Sequence, residues 1–252
     1  MHNHESENEM QPNEGLHSRR RLLQGVAGVA VGAAGVAGVT LLPSIGAFAA
    51  GDKGKKPTAV QDILNIARTA ERLAVTFYSQ GIANAHKLGI SGDRLNYLRA
   101  AVVEEQIHEF YLRDNKAKPL TSTFSFPHGA DTFKKLSLFI ATQQELEGFF
   151  DSAYLAAVRE FAEQNQPRLA QIAAQIATIE SEHRVLGRVL LGESFADNWA
   201  YTPVAITRVS DAPAAVAKAG YLSPKGDNSY TFAAVNIDLP AVINRTPLVG
   251  TV

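Results

Sequence analysis

The 252-residue chain contains no cysteine and only two methionines, Met1 and Met10, and its formal net charge is −1. Without thiols, disulfide scaffolds, thiolate zinc sites, iron–sulfur clusters and cysteine nucleophiles are excluded. Without a basic excess, the chain lacks the charge that nucleic-acid binders use to track phosphates, so no nucleic-acid partner is expected. Hydrophobic residues make up 46% of the chain and charged residues 19%, the balance of a globular protein with a buried core.

The first fifty residues stand apart from that core. A polar start runs to His17, and Ser18-Arg19-Arg20-Arg21-Leu22-Leu23-Gln24 then opens a Gly/Ala/Val stretch that reaches Leu42. The segment resembles a twin-arginine export signal with Arg19 and Arg20 as its pair. Ala47-Phe48-Ala49 supplies the small-x-small pattern of a signal-peptidase site, so cleavage after Ala49 is expected. The alternative is an uncleaved anchor, because Gly25 to Ala50 is long enough to span a bilayer, although its glycines make it a weakly apolar span. Export places the mature protein in the periplasm or cell envelope, with the twin-arginine translocase as its partner in transit.

Loss of the leader removes both methionines together with His2, His4 and His17, and leaves a chain without sulfur. His86, His108, His128 and His183 remain. Imidazole and carboxylate are then the available metal ligands, which disfavours copper(I) and suits harder or borderline cations.

Residues 51–58, with Lys53, Lys55, Lys56 and Pro57, read as a solvated linker. Four segments with apolar residues at helical spacing follow. The first runs from about Ala59 to Leu88 along Ile63, Ile66, Ala70, Leu73 and Phe77, and ends at Gly89-Ile90-Ser91-Gly92-Asp93. The second runs from about Arg94 to Asn115 along Leu98, Ala101, Val102 and Leu112. Pro119, Pro127 and Gly129 make Lys116 to Ala130 a connection, able to reach about 50 Å when extended. The third runs from about Asp131 to Gln164 along Phe133, Leu136, Ile140, Phe150, Tyr154, Val158 and Phe161. Asn165-Gln166-Pro167 breaks the pattern, and the fourth segment runs to about Leu191 along Leu169, Ile172, Ile176, Ile179, Leu186 and Leu190.

Two tight hairpins joined by one long connection predict an all-α fold, a four-helix bundle over residues 59–191 with a single crossover. Residues 192–252 are proline-rich, with β-like runs at Tyr230-Thr231-Phe232 and Val235-Asn236-Ile237 and a short helical stretch from Ala212 to Ala219. This irregular tail is expected to wrap the bundle, with Trp199 and Tyr201 as packing anchors.

The chemistry lies in a repeated pattern. Glu105-Gln106-Ile107-His108 falls on the second helix and Glu180-Ser181-Glu182-His183 on the fourth. A Glu and a His three residues apart share one helix face and can address one ion. In an antiparallel hairpin, residues equidistant from the turn lie at the same height. Glu71 mirrors Glu105 and His108 across the first break, and Glu147 mirrors Glu180 and His183 across the second. Both halves therefore repeat the order Glu, turn, Glu-x-x-His. Alanines 67, 70 and 74 leave room beside Glu71. Four carboxylates in an apolar seam need a counter-charge, which two divalent cations would supply while two imidazoles complete the ligand set.

Tyr78, seven residues after Glu71 on the same face, reads either as a packed core aromatic with its hydroxyl satisfied, or as a phenol near the metals that hydrogen-bonds a ligand or is itself redox-active. Glu104, Glu109, Glu145 and Glu182 read as solvated in preference to supporting the ligands, and His86 and His128 as surface groups.

Ile63-Leu64-Asn65-Ile66-Ala67 through Glu71 to Phe77-Tyr78, then Glu104-Glu105-Gln106-Ile107-His108, then Glu147 before Ala153-Tyr154-Leu155, and Glu180 with His183 together resemble the ferritin-like domain family. The exported, single-domain branch, some of whose members are called desiccation-related, is the most similar. The resemblance implies a dinuclear iron or manganese centre, with Glu71 and Glu147 as terminal or bridging ligands and Glu105, His108, Glu180 and His183 completing two metal shells. The chain departs from rubrerythrins in lacking a cysteine-bound electron-transfer centre. It departs from storage ferritins in carrying an export signal and a long tail. Manganese catalases use a similar ligand set.

The expected function is redox chemistry at a dinuclear centre, either ferroxidase-like or manganese-catalase-like. The competing expectation is a stress-related structural or binding protein of the envelope without catalysis. Iron versus manganese, substrate and homo-oligomeric state are left open.

Overall fold

The computed structural model describes residues 56–248. Arg19, Arg20 and Ala49, with the rest of the leader and the start of the linker, lie outside the described residues. Four long helices dominate: α1 Val60–Ala83, α2 Asp93–Asp114, α3 Leu136–Glu163 and α4 Pro167–Leu191. The pairs α1/α2 and α3/α4 form antiparallel hairpins, and α1 packs across α3 while α2 packs across α4. The arrangement is the expected four-helix bundle with one crossover. Among the described residues, no helix is long and apolar enough to cross a membrane.

The apolar spacing buries one stripe of each helix. On α1 that stripe is Ile63, Leu73, Ala74, Phe77 and Tyr78, interrupted by buried Glu71. The first helix is shorter than the sequence suggests, because Asn84 leaves helical geometry and a separate turn spans Ala85–Leu88. Gly89 closes that turn at φ 68°, a left-handed backbone that glycine adopts without a Cβ clash. Pro167 occupies the first turn of α4, where its missing N–H costs no helical hydrogen bond.

The crossover is longer than expected. Residues 131–133 belong to a 3₁₀ turn, Gly129–Phe133, so α3 begins only at Leu136. Phe133 still enters the core, alongside Phe77, Phe126 and Phe139. The short strand β1 Thr123–Phe124 pairs antiparallel with β2 Tyr230–Thr231 from the tail. Ser125 N–H donates to the Tyr221 carbonyl, and Phe126 N–H to Asn228 Oδ1. The crossover is thus stapled by residues a hundred positions later.

Tail side chains do cover the bundle: Tyr221 is fully buried, and Val216, Leu222, Phe232, Val235 and Leu239 pack against the core. A short helix, α5 Ala212–Lys218, matches the helical stretch read from sequence. Of the two β-like runs read in the tail, Tyr230–Thr231 forms a strand and residues 235–237 do not. Trp199 and Tyr201 are not the packing anchors expected of them, being 50% and 84% exposed. The Trp199 ring instead stacks on the Arg184 guanidinium at 5.0 Å, a contact that needs no burial.

The linker also ends earlier than expected. Thr58 is buried, and its N–H and hydroxyl both donate to Glu160 Oε1 at 3.0 Å. Glu160 Oε2 accepts Val209 N–H at 3.0 Å, and Arg208 lies 3.7 Å from Oε1. One buried carboxylate therefore ties the entry of α1 and the tail to the end of α3. Replacing Glu160 by Ala leaves three buried donors without an acceptor. The expected loss is about 3 kcal/mol, measurable as a lower urea midpoint with little change in slope.

Candidate metal centre

The core is divided in two. One apolar cluster, around Phe77, Leu98 and Phe139, fills the end near the first turn; the other, around Leu64, Phe161 and Ile172, fills the end near the second. Between them lies a polar layer made of Glu71 from α1, Glu105 and His108 from α2, Glu147 from α3, and Glu180 and His183 from α4. All six side chains anticipated from the mirrored spacing meet there. Two overlapping groups have ligand-capable atoms within 4.8 Å of one another: Glu71, Glu105, His108 and Glu180, and Glu105, Glu147, Glu180 and His183. Glu105 and Glu180 are shared by both groups, whereas Glu71 and Glu147 each belong to one.

Both histidines present Nδ1 to the cluster. His108 Nδ1 lies 3.5 Å from Glu71 Oε2, 3.6 Å from Glu105 Oε2 and 4.0 Å from Glu180 Oε1. His183 Nδ1 lies 3.0 Å from Glu105 Oε1, 3.3 Å from Glu180 Oε2 and 3.6 Å from Glu147 Oε1. The four carboxylates are almost wholly excluded from solvent. One oxygen of Glu71, one of Glu147, both of Glu105, both of Glu180 and the two Nδ1 atoms have no hydrogen-bond partner. Buried polar atoms are normally satisfied, so a convergent set of orphans marks a place for something that accepts lone pairs.

Burial raises Glu105, Glu147 and Glu180 above the usual carboxyl range, and neighbouring carboxylates push them further. Burial alone would lower the two histidines, but the carboxylates around them outweigh it and hold both well above the usual value. In the metal-free chain, protons on these groups offset charge that a cation would otherwise neutralise.

Two tyrosines cross between the halves. Tyr78 of α1 donates its hydroxyl to Glu147 Oε1 of α3, and Tyr154 of α3 donates to Glu71 Oε1 of α1. Burial first, and adjacent carboxylates second, keep both phenols protonated and thus donors. Tyr78 is a fully buried core aromatic packed on Phe77, with its hydroxyl satisfied by Glu147 of the cluster. Tyr154 escaped notice as part of an apolar seam, although it follows Glu147 by seven residues as Tyr78 follows Glu71.

Further groups support one half more than the other. Gln143 Nε2 donates to the Tyr78 hydroxyl at 3.1 Å and to the His183 carbonyl. Gly187 permits that approach, since a Cβ there would lie 1.9 Å from Gln143 Oε1. Glu104 Oε2 lies 2.9 Å from His183 Nε2. Burial raises Glu104, yet the hydrogen bond and charge of His183 outweigh it and hold this carboxyl below its ordinary value. Next to Tyr154, by contrast, is an apolar cavity of about 50 Å³ bordered by Ala67, Ala70, Ala153 and Ala157.

The flanking acids are not uniformly solvated. Glu109 is buried and accepts Arg68 Nε and Arg72 Nε, each at 2.9 Å, while Glu145 accepts the Tyr221 hydroxyl at 2.6 Å. Glu182 is exposed, as are His86 and His128. The arginine pair is the reason for the difference at Glu109, and it lies on another helix.

A profile of the ferritin-like domain matches residues 59–193, more than half the chain, and the protein belongs to that family. No curated protein and no solved structure matches it.

The electrostatics make a signed prediction for the metal-free protein. A carboxyl raised by burial weakens folding at pH values above its folded pKa, and the penalty fades as pH falls to the ordinary carboxyl range. Glu105→Gln removes that charge at constant shape. At neutral pH the metal-free variant should be more stable than metal-free wild type, and the advantage should shrink on acidification. Chemical denaturation in the presence of chelator measures both.

Proposed function

We propose that the chain is an exported ferritin-like protein that binds two iron or manganese ions through Glu71, Glu105, His108, Glu147, Glu180 and His183. The observation that carries this reading is the set of eight orphaned oxygen and nitrogen atoms converging in one buried layer. Four carboxylates match the charge of two divalent ions, and an all-O/N donor set suits iron and manganese.

Such ions supply reversible redox chemistry, and oxygen or peroxide is the proposed oxidant or substrate. The protein's contribution is positional. Tyr78 and Tyr154 hold Glu147 and Glu71 by Oε1 and leave Oε2 of each buried without a hydrogen bond, that of Glu71 facing His108. The apolar clusters on either side keep bulk water from the layer. The absence of cysteine, and of methionine after Met10, removes the side chains most readily oxidised beside a redox metal. Export through the Arg19-Arg20 pair fits a protein that is folded and loaded before transit.

Elemental analysis of purified protein should find about two transition-metal ions per chain, and Glu147→Ala with His183→Ala should abolish them. Adding Mn(II) or Fe(II) to metal-free wild type should raise its melting temperature, as any ligand of the native state must. Absence of metal together with an unchanged melting temperature would sink the reading. Oxygen release from hydrogen peroxide, two peroxides giving one oxygen and two waters, would indicate the catalase branch. Fe(II)-dependent growth of ferric absorbance would indicate the ferroxidase branch.

A further inference from the structure

We infer that the two halves of the cluster bind metal unequally: the Glu147/His183 half takes the first divalent ion and retains it, and the Glu71/His108 half takes the second ion more weakly and exchanges it. This rests on the dinuclear reading above and goes beyond it by assigning an order and the residues that set it.

The near two-fold repeat of the site makes the comparison internal. The residue before Glu105 is Glu104, and the residue before Glu180 is Ile179. Glu104 therefore reaches His183 across the bundle at 2.9 Å, and Ile179 offers His108 no equivalent carboxylate. A carboxylate on Nε2 keeps the proton there, leaves the Nδ1 lone pair facing the cluster, and makes the imidazole a stronger donor. His183 is thereby prepared for a metal in a way that His108 is not.

The carboxylate arms differ in the same sense. Four residues before Glu147 stands Gln143, and four before Glu71 stands Ala67. Gln143 braces Tyr78, which holds Glu147, and it also bonds the backbone of His183. Ala67 braces nothing, and the space that its small side chain leaves belongs to the cavity beside Tyr154. The His183 side chain is 3% exposed and that of His108 is 13%. A ligand set held in place before binding loses less freedom on metal capture. The half that is braced, buried and backed by Glu104 should fill first, and the half beside the cavity and closer to solvent should exchange.

Anaerobic titration of metal-free protein with Mn(II) against a chromophoric chelator tests this directly. Wild type should titrate in two resolved steps of one ion each. Glu104→Gln, at a side chain about one-third exposed and so tolerant of change, should weaken the first step by about 10- to 100-fold and bring the two steps together. Metal content supplies a second readout: His108→Ala should keep one ion per chain, and His183→Ala should keep none. Two equal sites in wild type, with Glu104→Gln leaving both constants unchanged, would overturn the inference while leaving the dinuclear reading intact. Retention of an ion by His183→Ala but not by His108→Ala would also overturn it. A wild type that binds no Mn(II) or Fe(II) would overturn both.

Discussion

The electrostatic problem of placing four carboxylates in one buried layer governs much of this protein. Glu71, Glu105, Glu147 and Glu180 interrupt stripes that would otherwise be continuous apolar core, and each is almost fully removed from water. Taking such charges out of solvent is costly unless they are paired. The bundle lowers the cost in three ways: imidazoles aimed inward through Nδ1, phenols that donate across the layer, and protonation states shifted by the neighbourhood. What remains is a set of lone pairs without partners, and that residue of the problem is the site.

The same constraint explains why so much of the chain serves as scaffold. A cluster drawn from four helices keeps its geometry only if all four hold their register. The apolar clusters at either end provide most of that hold, and the tail adds to it. Residues 221–239 close over the crossover and the first-turn end, while Glu160 draws Thr58 and Val209 to the opposite end. Gly81 and Gly187 admit Phe139 and Gln143, respectively, at distances that a Cβ would forbid. The small residues on these helices are therefore as much a part of the register as the large ones.

Near-symmetry adds a second layer of meaning. The order Glu, turn, Glu-x-x-His is repeated, as is the tyrosine seven residues after each first Glu. Two departures, Gln143 against Ala67 and Glu104 against Ile179, fall next to the clustered side chains. Each of the two alters how firmly a side chain of the cluster is held, and both favour the His183 half. A repeat that is regular in its carboxylates and imidazoles and irregular in their supports makes the two halves of the cluster unequal.

The helices and six candidate ligands were legible in the chain because both depend on local spacing. Helical periodicity brings residues three and four apart onto one face, and the height rule in a hairpin follows from equal rise on both strands of the pair. Glu71, His108, Glu147 and His183 could be matched by counting outward from two breaks. What they are held by could not be counted. Tyr154 reaches Glu71 across 83 residues, Glu104 reaches His183 across 79, and Arg68 finds Glu109 across 41. Trp199 lies on the surface and Thr58 within the core for reasons that neither side chain carries in itself. By itself the sequence determined the helices and the six side chains that share the buried layer, through short-range periodicity; the tertiary structure alone decided which supports each of them has, because those contacts join segments that only packing brings together.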